Sequence, residues 1–141
     1  MCYALREEKA LFTGDHVMGW STSVIIPPDG SMSDYMASLD LLLARDDEIY
    51  WPTHGTCIEK PQDFVREYIR HRKSREAQVL ARLEAGDSDI REMVKVVYAA
   101  VDKRLHPAAA LSMLAHLQDL VERGVVSSAD NPTLDTKFTL A

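Results

Sequence analysis

Two stretches decide how this chain is read: Leu11-Phe12-Thr13-Gly14-Asp15-His16 and, further on, Pro52-Thr53-His54-Gly55. Each follows a short apolar run, puts an Asp or a His where that run stops, and has Gly beside it. That pattern is a strand end carrying a polar side chain on a rigid scaffold. Taken alone, Gly14-Asp15-His16 reads as a polar turn. Taken with the second loop, it becomes a candidate metal site. A carboxylate and a neutral imidazole both ligate zinc and other first-row divalent ions, and a carboxylate can bridge two of them.

Working outward, residues 2–5 and 10–13 are apolar and flank the polar Arg6-Glu7-Glu8-Lys9, which predicts a strand, a tight turn and a second strand. Pro27-Pro28-Asp29-Gly30 marks a loop. Ser31 or Ser33 is placed to cap a following helix, in which Met36, Leu39, Leu42 and Leu43 recur at helical spacing. Ile49-Tyr50-Trp51 then predicts a short buried strand running into the His54 loop.

From Pro61 the character changes. Pro61 suits a first helical turn, and Val65, Ile69, Val79, Leu80 and Leu83 carry an apolar stripe to Gly86, interrupted by the polar stretch from Arg72 to Glu76. A second helix is expected from Ser88 or Asp89, with its apolar series running to Val101. A third is expected from Pro107 to Arg123, with Gly124 at its C-terminal cap. Val125-Val126 and Lys137 to Leu140 are short strand candidates around a loosely held tip rich in Ser, Asp, Asn and Pro. Three helices and a β-hairpin predict a winged helix over 61–141, after a separate α/β segment over 1–60.

Charge marks the same boundary. The chain has 141 residues and a net charge of -6. Residues 1–60 hold four Lys/Arg against ten Asp/Glu, and residues 61–141 hold twelve of each, so the first segment carries the whole imbalance. An acidic total does not favour nucleic acid, whose phosphates dominate binding. Cys2 and Cys57 form neither a metal-type spacing nor a disulfide framework, which predicts a reducing, cytoplasmic setting. No apolar run approaches the ~20 residues that span a bilayer, and no basic segment leads into an apolar stretch at the N-terminus.

The series from Leu11 to Thr22, then Ile26-Pro27-Pro28-Asp29-Gly30-Ser31-Met32-Ser33-Asp34-Tyr35-Met36, then Pro52 to Gly55, resembles the end of a metallo-β-lactamase-fold domain. It is most similar to the branch that includes β-lactamase-like protein 2, whose members also end in a winged helix. The resemblance covers essentially the whole chain. It implies a remnant of an αββα sandwich followed by the α+β winged helix. It implies that Asp15 matches the bridging aspartate and His54 the last metal-binding histidine, in a site that holds two zinc ions in the full-length family. His16 takes no metal role, and Trp20, Ser21 and Thr22 are expected beside the substrate cleft. The implied activity is metal-dependent hydrolysis of an ester, thioester, lactone or phosphodiester, on a small molecule or RNA.

One departure is large. The family's His-x-His-x-Asp-His motif is absent, and His16, His54, His71, His106 and His116 are the only histidines. The chain is therefore expected to begin partway through the fold, to hold metal weakly or not at all, and to be inactive alone. An exposed sandwich remnant predicts self-association as a homodimer. His71, His106 and His116 are read as surface or packing residues, and Cys57 as a structural thiol. Arg66, Arg70, Arg72, Lys73 and Arg75 are read as a solvated or docked helix face. The competing readings are a nucleic-acid-binding winged helix and a self-associating module without catalysis. The third helix offers Asp119 and Glu122 with Arg123 as its only Lys or Arg, which argues against DNA readout.

Overall fold

The computed structural model describes residues 1–141. Its elements run β1 (Tyr3–Leu5), β2 (Ala10–Gly14), α1 (Met32–Leu43), β3 (Ile49–Pro52), α2 (Pro61–Glu84), α3 (Ile90–Val97), α4 (His106–Glu122), β4 (Val126–Ser128) and β5 (Phe138–Leu140). Single 3₁₀ turns occupy Arg6–Glu8 and Lys103–Leu105. No helix is long and apolar enough to cross a membrane.

The chain divides into two compact units, one of residues 1–23 with 36–71 and the other of residues 24–35 with 72–141. The expected boundary at Lys60 falls at the start of α2, whereas the units divide inside that helix, between His71 and Arg72. A helix of 24 residues is about 36 Å long. That is more than one small core can cover, so its two halves bury different side chains: Val65 and Tyr68 in the first, Val79 and Leu83 in the second.

In the first unit, β1, β2 and β3 form one sheet in that order. The turn between β1 and β2 closes on Lys9, whose N–H donates to the Arg6 carbonyl at 3.2 Å. β1 and β2 are antiparallel, and β2 and β3 are parallel, as α1 carries the chain between them. One face of the sheet is buried through Leu11 and Tyr50. Burial pushes the Tyr50 phenol up to about 12. The other face carries Tyr3, Phe12 and Trp51 in direct register across all three strands. They are 66%, 47% and 46% exposed.

In the second unit, α3, α4 and the second half of α2 contribute to one apolar cluster with Val126 and Phe138 of the antiparallel β4–β5 pair. Asp89 caps α3, accepting from the Arg91 and Glu92 amides. Gly124 follows α4 at φ 71, the left-handed cap position expected of it. The loop between β4 and β5 is better tied than its composition suggests. Gln118 donates to the Pro132 carbonyl at 3.2 Å, and Arg91 pairs with Asp135 at 2.7 Å.

The polar middle of α2 is also not simply solvated. Arg72 is 4% exposed, with its guanidinium over the Tyr35 ring at 5.3 Å. Arg75 lies over Tyr98 at 4.4 Å and donates to the Val97 carbonyl at 3.0 Å. Arg66 and Arg70 pair with Asp63 and Glu67 one turn away. His116 is buried on α4, and the His106 Nε2 donates to the Tyr98 and Val101 carbonyls at 3.2 and 3.3 Å.

Candidate functional site

Parallel pairing of β2 with β3 is what assembles the candidate site. Gly14 lies opposite Pro52, so both strands end side by side and the next residues of each emerge at the same sheet edge. Side chains just past the carboxyl ends of parallel strands are the usual carriers of chemistry in such sheets. The Thr53 N–H donates to the Gly14 carbonyl at 3.1 Å, extending the pairing past the strands themselves.

Asp15 and His54 therefore meet. The His54 Nε2 lies 3.6 Å from the Asp15 Oδ1, and the two side chains are 58% and 67% exposed. That separation is too long for a hydrogen bond. It is close to the roughly 3.4 Å that separates two ligands, each about 2.1 Å away, on one tetrahedral ion. Donor type and spacing thus suit a divalent metal. Donor number does not. No group of three or more His, Cys, Asp or Glu converges anywhere in the chain, while a catalytic zinc takes at least three protein ligands.

Several residues that the sequence alone did not single out hold this pair in place. The Thr13 hydroxyl, buried, donates to the Val17 carbonyl at 2.8 Å and closes the turn that carries Asp15. The Ser23 hydroxyl reaches the Asp15 and His16 carbonyls at 2.5 and 3.0 Å. Gly19 donates its N–H to the His54 carbonyl at 3.0 Å. A Cβ on Gly19 would sit 2.5 Å from the Thr56 carbonyl oxygen, and one on Gly55 would sit 2.8 Å from the Gly19 Cα. The two loops touch backbone to backbone, and only glycine at both positions allows it.

Tyr68 of α2 adds a third anchor. Its hydroxyl accepts from the Met18 N–H at 3.0 Å, lies 2.8 Å from the Met18 carbonyl, and reaches the Ser21 carbonyl. It fixes the segment that carries Trp20, Ser21 and Thr22. Of these three, Trp20 is exposed and the Ser21 hydroxyl donates to the Thr22 carbonyl at 3.3 Å.

His16, the neighbour of Asp15, points elsewhere. Its Nε2 bonds the Ser38 hydroxyl on α1 at 3.1 Å, and burial holds its pKa below the usual histidine value. Its ring is thus held against α1, beside the candidate pair. Cys57 is half-buried and belongs to no group of metal-binding side chains.

Comparison with known proteins points one way. Residues 90–134 match the β-lactamase associated winged helix domain. The chain is 32% identical over 147 residues to the lactamase-like protein adaB of Aspergillus niger, covering 94% of this chain and 45% of that protein. It is 36% identical over 129 residues to the β-lactamase-like protein 2 homolog of Drosophila melanogaster, covering 87% of this chain and 43% of that one. Among solved structures, a metallo-β-lactamase family protein from Thermus thermophilus superposes with a TM-score of 0.83 at 22% identity, over 99% of this chain and 44% of that one. A β-lactamase domain protein from Burkholderia ambifaria gives 0.81 at 17% identity, over 94% of this chain and 41% of that one. The chain spans less than half the length of these relatives.

Proposed function

The chain belongs to the metallo-β-lactamase-fold superfamily, and from that premise we propose that it carries the C-terminal part of a zinc-dependent hydrolase site. The observation that carries this reading is the meeting of Asp15 and His54 at 3.6 Å, at the adjoining ends of two parallel strands. Both side chains are exposed at one edge, and their backbones are locked by the Gly19–Gly55 contact and by Thr13 and Ser23. When bound, the metal would supply an activated water and a positive charge for the leaving oxygen. Asp15 and His54 would hold it. Trp20, Ser21 and Thr22, on the loop that Tyr68 anchors, would face the substrate.

The substrate class is an ester, thioester, lactone or phosphodiester, borne on a small molecule or on RNA. A working site needs further donors, from a longer chain or from a second one, so residues 1–141 by themselves are inactive. α2, α3, α4 and the β4–β5 pair are read as the winged helix. DNA readout is not its role. Arg123, the one cation near the end of α4, is engaged by Glu76 at 2.6 Å and Asp119 at 2.9 Å.

The Tyr3–Phe12–Trp51 row bears on self-association. An aromatic side chain buries about 150–250 Å² in full. Three that are about half-exposed offer on the order of 300 Å², against the ~800 Å² per partner of a stable interface. The homodimer through this face is therefore weak and forms only at high concentration.

The test is reconstitution. The purified chain is assayed on ester, thioester, lactone and RNA substrates, alone and with the part of the Drosophila relative that this chain does not match added as a separate chain. The expected result is no turnover alone and turnover in the mixture, lost in Asp15→Ala and His54→Ala. Turnover by the chain alone that survives both substitutions would sink the proposal.

A further inference from the structure

The second unit contains a groove that the hydrolase reading leaves unused. It has a volume of about 470 Å³ and lies where α3, the start of α4 and the loop before β5 come together. Val94, Ala110, Leu111 and Leu134 give it an apolar floor, and Arg91, Lys95 and Lys103 stand around it. No carboxylate lines it, in a chain whose net charge is -6. All of these residues fall within 90–134, the stretch that matches the winged-helix family.

We propose that this groove binds an anionic amphiphile, a compound with an apolar body of roughly 10–15 heavy atoms ending in a carboxylate or sulfonate. The volume falls within the ~300–1,000 Å³ of small-molecule sites, which are mostly apolar with a few placed polar groups. The floor would take the apolar body, and the cations would meet the anion. Arg91 and Lys95 already pair with Asp135 at 2.7 Å and with Glu92 at 2.6 Å. Both pairs are well exposed and so worth little, and a ligand anion can replace either partner at small cost. A cationic amphiphile of the same length would meet no carboxylate in the lining itself. A nucleic-acid backbone would gain from the cations but nothing from the floor. This inference does not rest on the hydrolase reading and stands if that reading fails.

The experiment follows side-chain methyl signals of the full chain while dodecanoate is added below its micelle concentration. Saturable shifts are expected at Val94, Ala110, Leu111 and Leu134, with Leu39 and Leu42 of the first unit unmoved. Dodecyltrimethylammonium should bind at least about tenfold more weakly. The double variant Lys95→Gln/Lys103→Gln should keep the methyl spectrum of the folded chain and weaken dodecanoate about fivefold. Arg at both positions should restore binding. Four results would overturn the proposal: no shift at these methyls, equal binding of the two amphiphiles, full affinity in the double Gln variant, or shifts centred on Leu39 and Leu42. Two others would reassign the groove: binding of an acidic Leu-rich peptide with none of dodecanoate, and shifts that follow protein concentration alone.

Discussion

Tyr68 shows what a single side chain contributes to the site without belonging to it. Its hydroxyl bonds the backbone of Met18 and Ser21 from 50 and 47 residues away. Tyr68→Phe keeps the ring and removes these bonds, leaving the Met18 N–H unpaired. The expected loss is about 1–2 kcal/mol in a denaturant melt, with faster hydrogen exchange at the Met18 amide. An unchanged exchange rate would mean that something else holds the loop. Residue type and their place after two apolar runs singled out Asp15 and His54, and the family resemblance gave them their expected metal roles. Thr13, Gly19, Ser23 and Tyr68 were not singled out. Each acts through a backbone atom of a remote or non-repeating loop, and no spacing rule in one sequence reports such a contact. His16 was expected to take no metal role, and its Nε2 bonds the Ser38 hydroxyl on α1.

At the scale of one element, α3 is instructive because it is only eight residues long. Helices this short depend on capping and packing rather than on propensity. Asp89 supplies the cap and also pairs with Lys137 at 2.8 Å. The Lys137 ammonium first, and then the Glu92 and Arg91 amides, hold the Asp89 carboxyl below its usual pKa. A depressed carboxyl stabilises the fold above its unfolded pKa, near ~3.9, and loses that effect as pH falls through the folded value. Asp89→Ala should therefore cost about 1 kcal/mol at neutral pH, and the gap from the parent should close below about pH 4. Thermal melts of the two proteins across that range check it, and a gap that does not change with pH would contradict it. The start of α3 was readable from Ser88-Asp89 and its apolar series. Its end was not. The series continues to Val101, but the helix stops at Val97, where the Tyr98 and Val101 carbonyls accept from His106 and Asp102 caps the next turn through the Arg104 N–H at 2.9 Å. Those partners are set by tertiary placement, which periodicity does not record. The strand–strand–helix–strand order of the first unit was legible, because Gly, Pro and the apolar runs punctuate it clearly.

For the whole molecule, the proposed weak self-association would run through the row of Tyr3, Phe12 and Trp51. Sedimentation velocity across micromolar to millimolar concentrations should show a weak monomer–dimer equilibrium, and Phe12→Lys, which puts a charge in the middle of the row, should abolish it. A tight dimer, or one indifferent to Phe12→Lys, would place the interface elsewhere. The charge shift near Lys60 led to an expected boundary there, whereas the two compact units divide inside α2, between His71 and Arg72, and Arg72 is buried with its guanidinium over the Tyr35 ring. The resemblance to the metallo-β-lactamase fold came from an ordered series of short motifs, and the superposition with two solved structures of that fold agrees with it.

Asp15 and His54 are proposed as two members of a metal site that needs further donors. A zinc titration of the purified chain, followed on the His54 imidazole by NMR, tests this most directly. The expected result is a saturable but weak response of His54, needing zinc well above micromolar and weakened further in Asp15→Ala, with no metal retained after dialysis. Stoichiometric zinc that survives dialysis, or a His54 that stays silent at millimolar zinc, would contradict it.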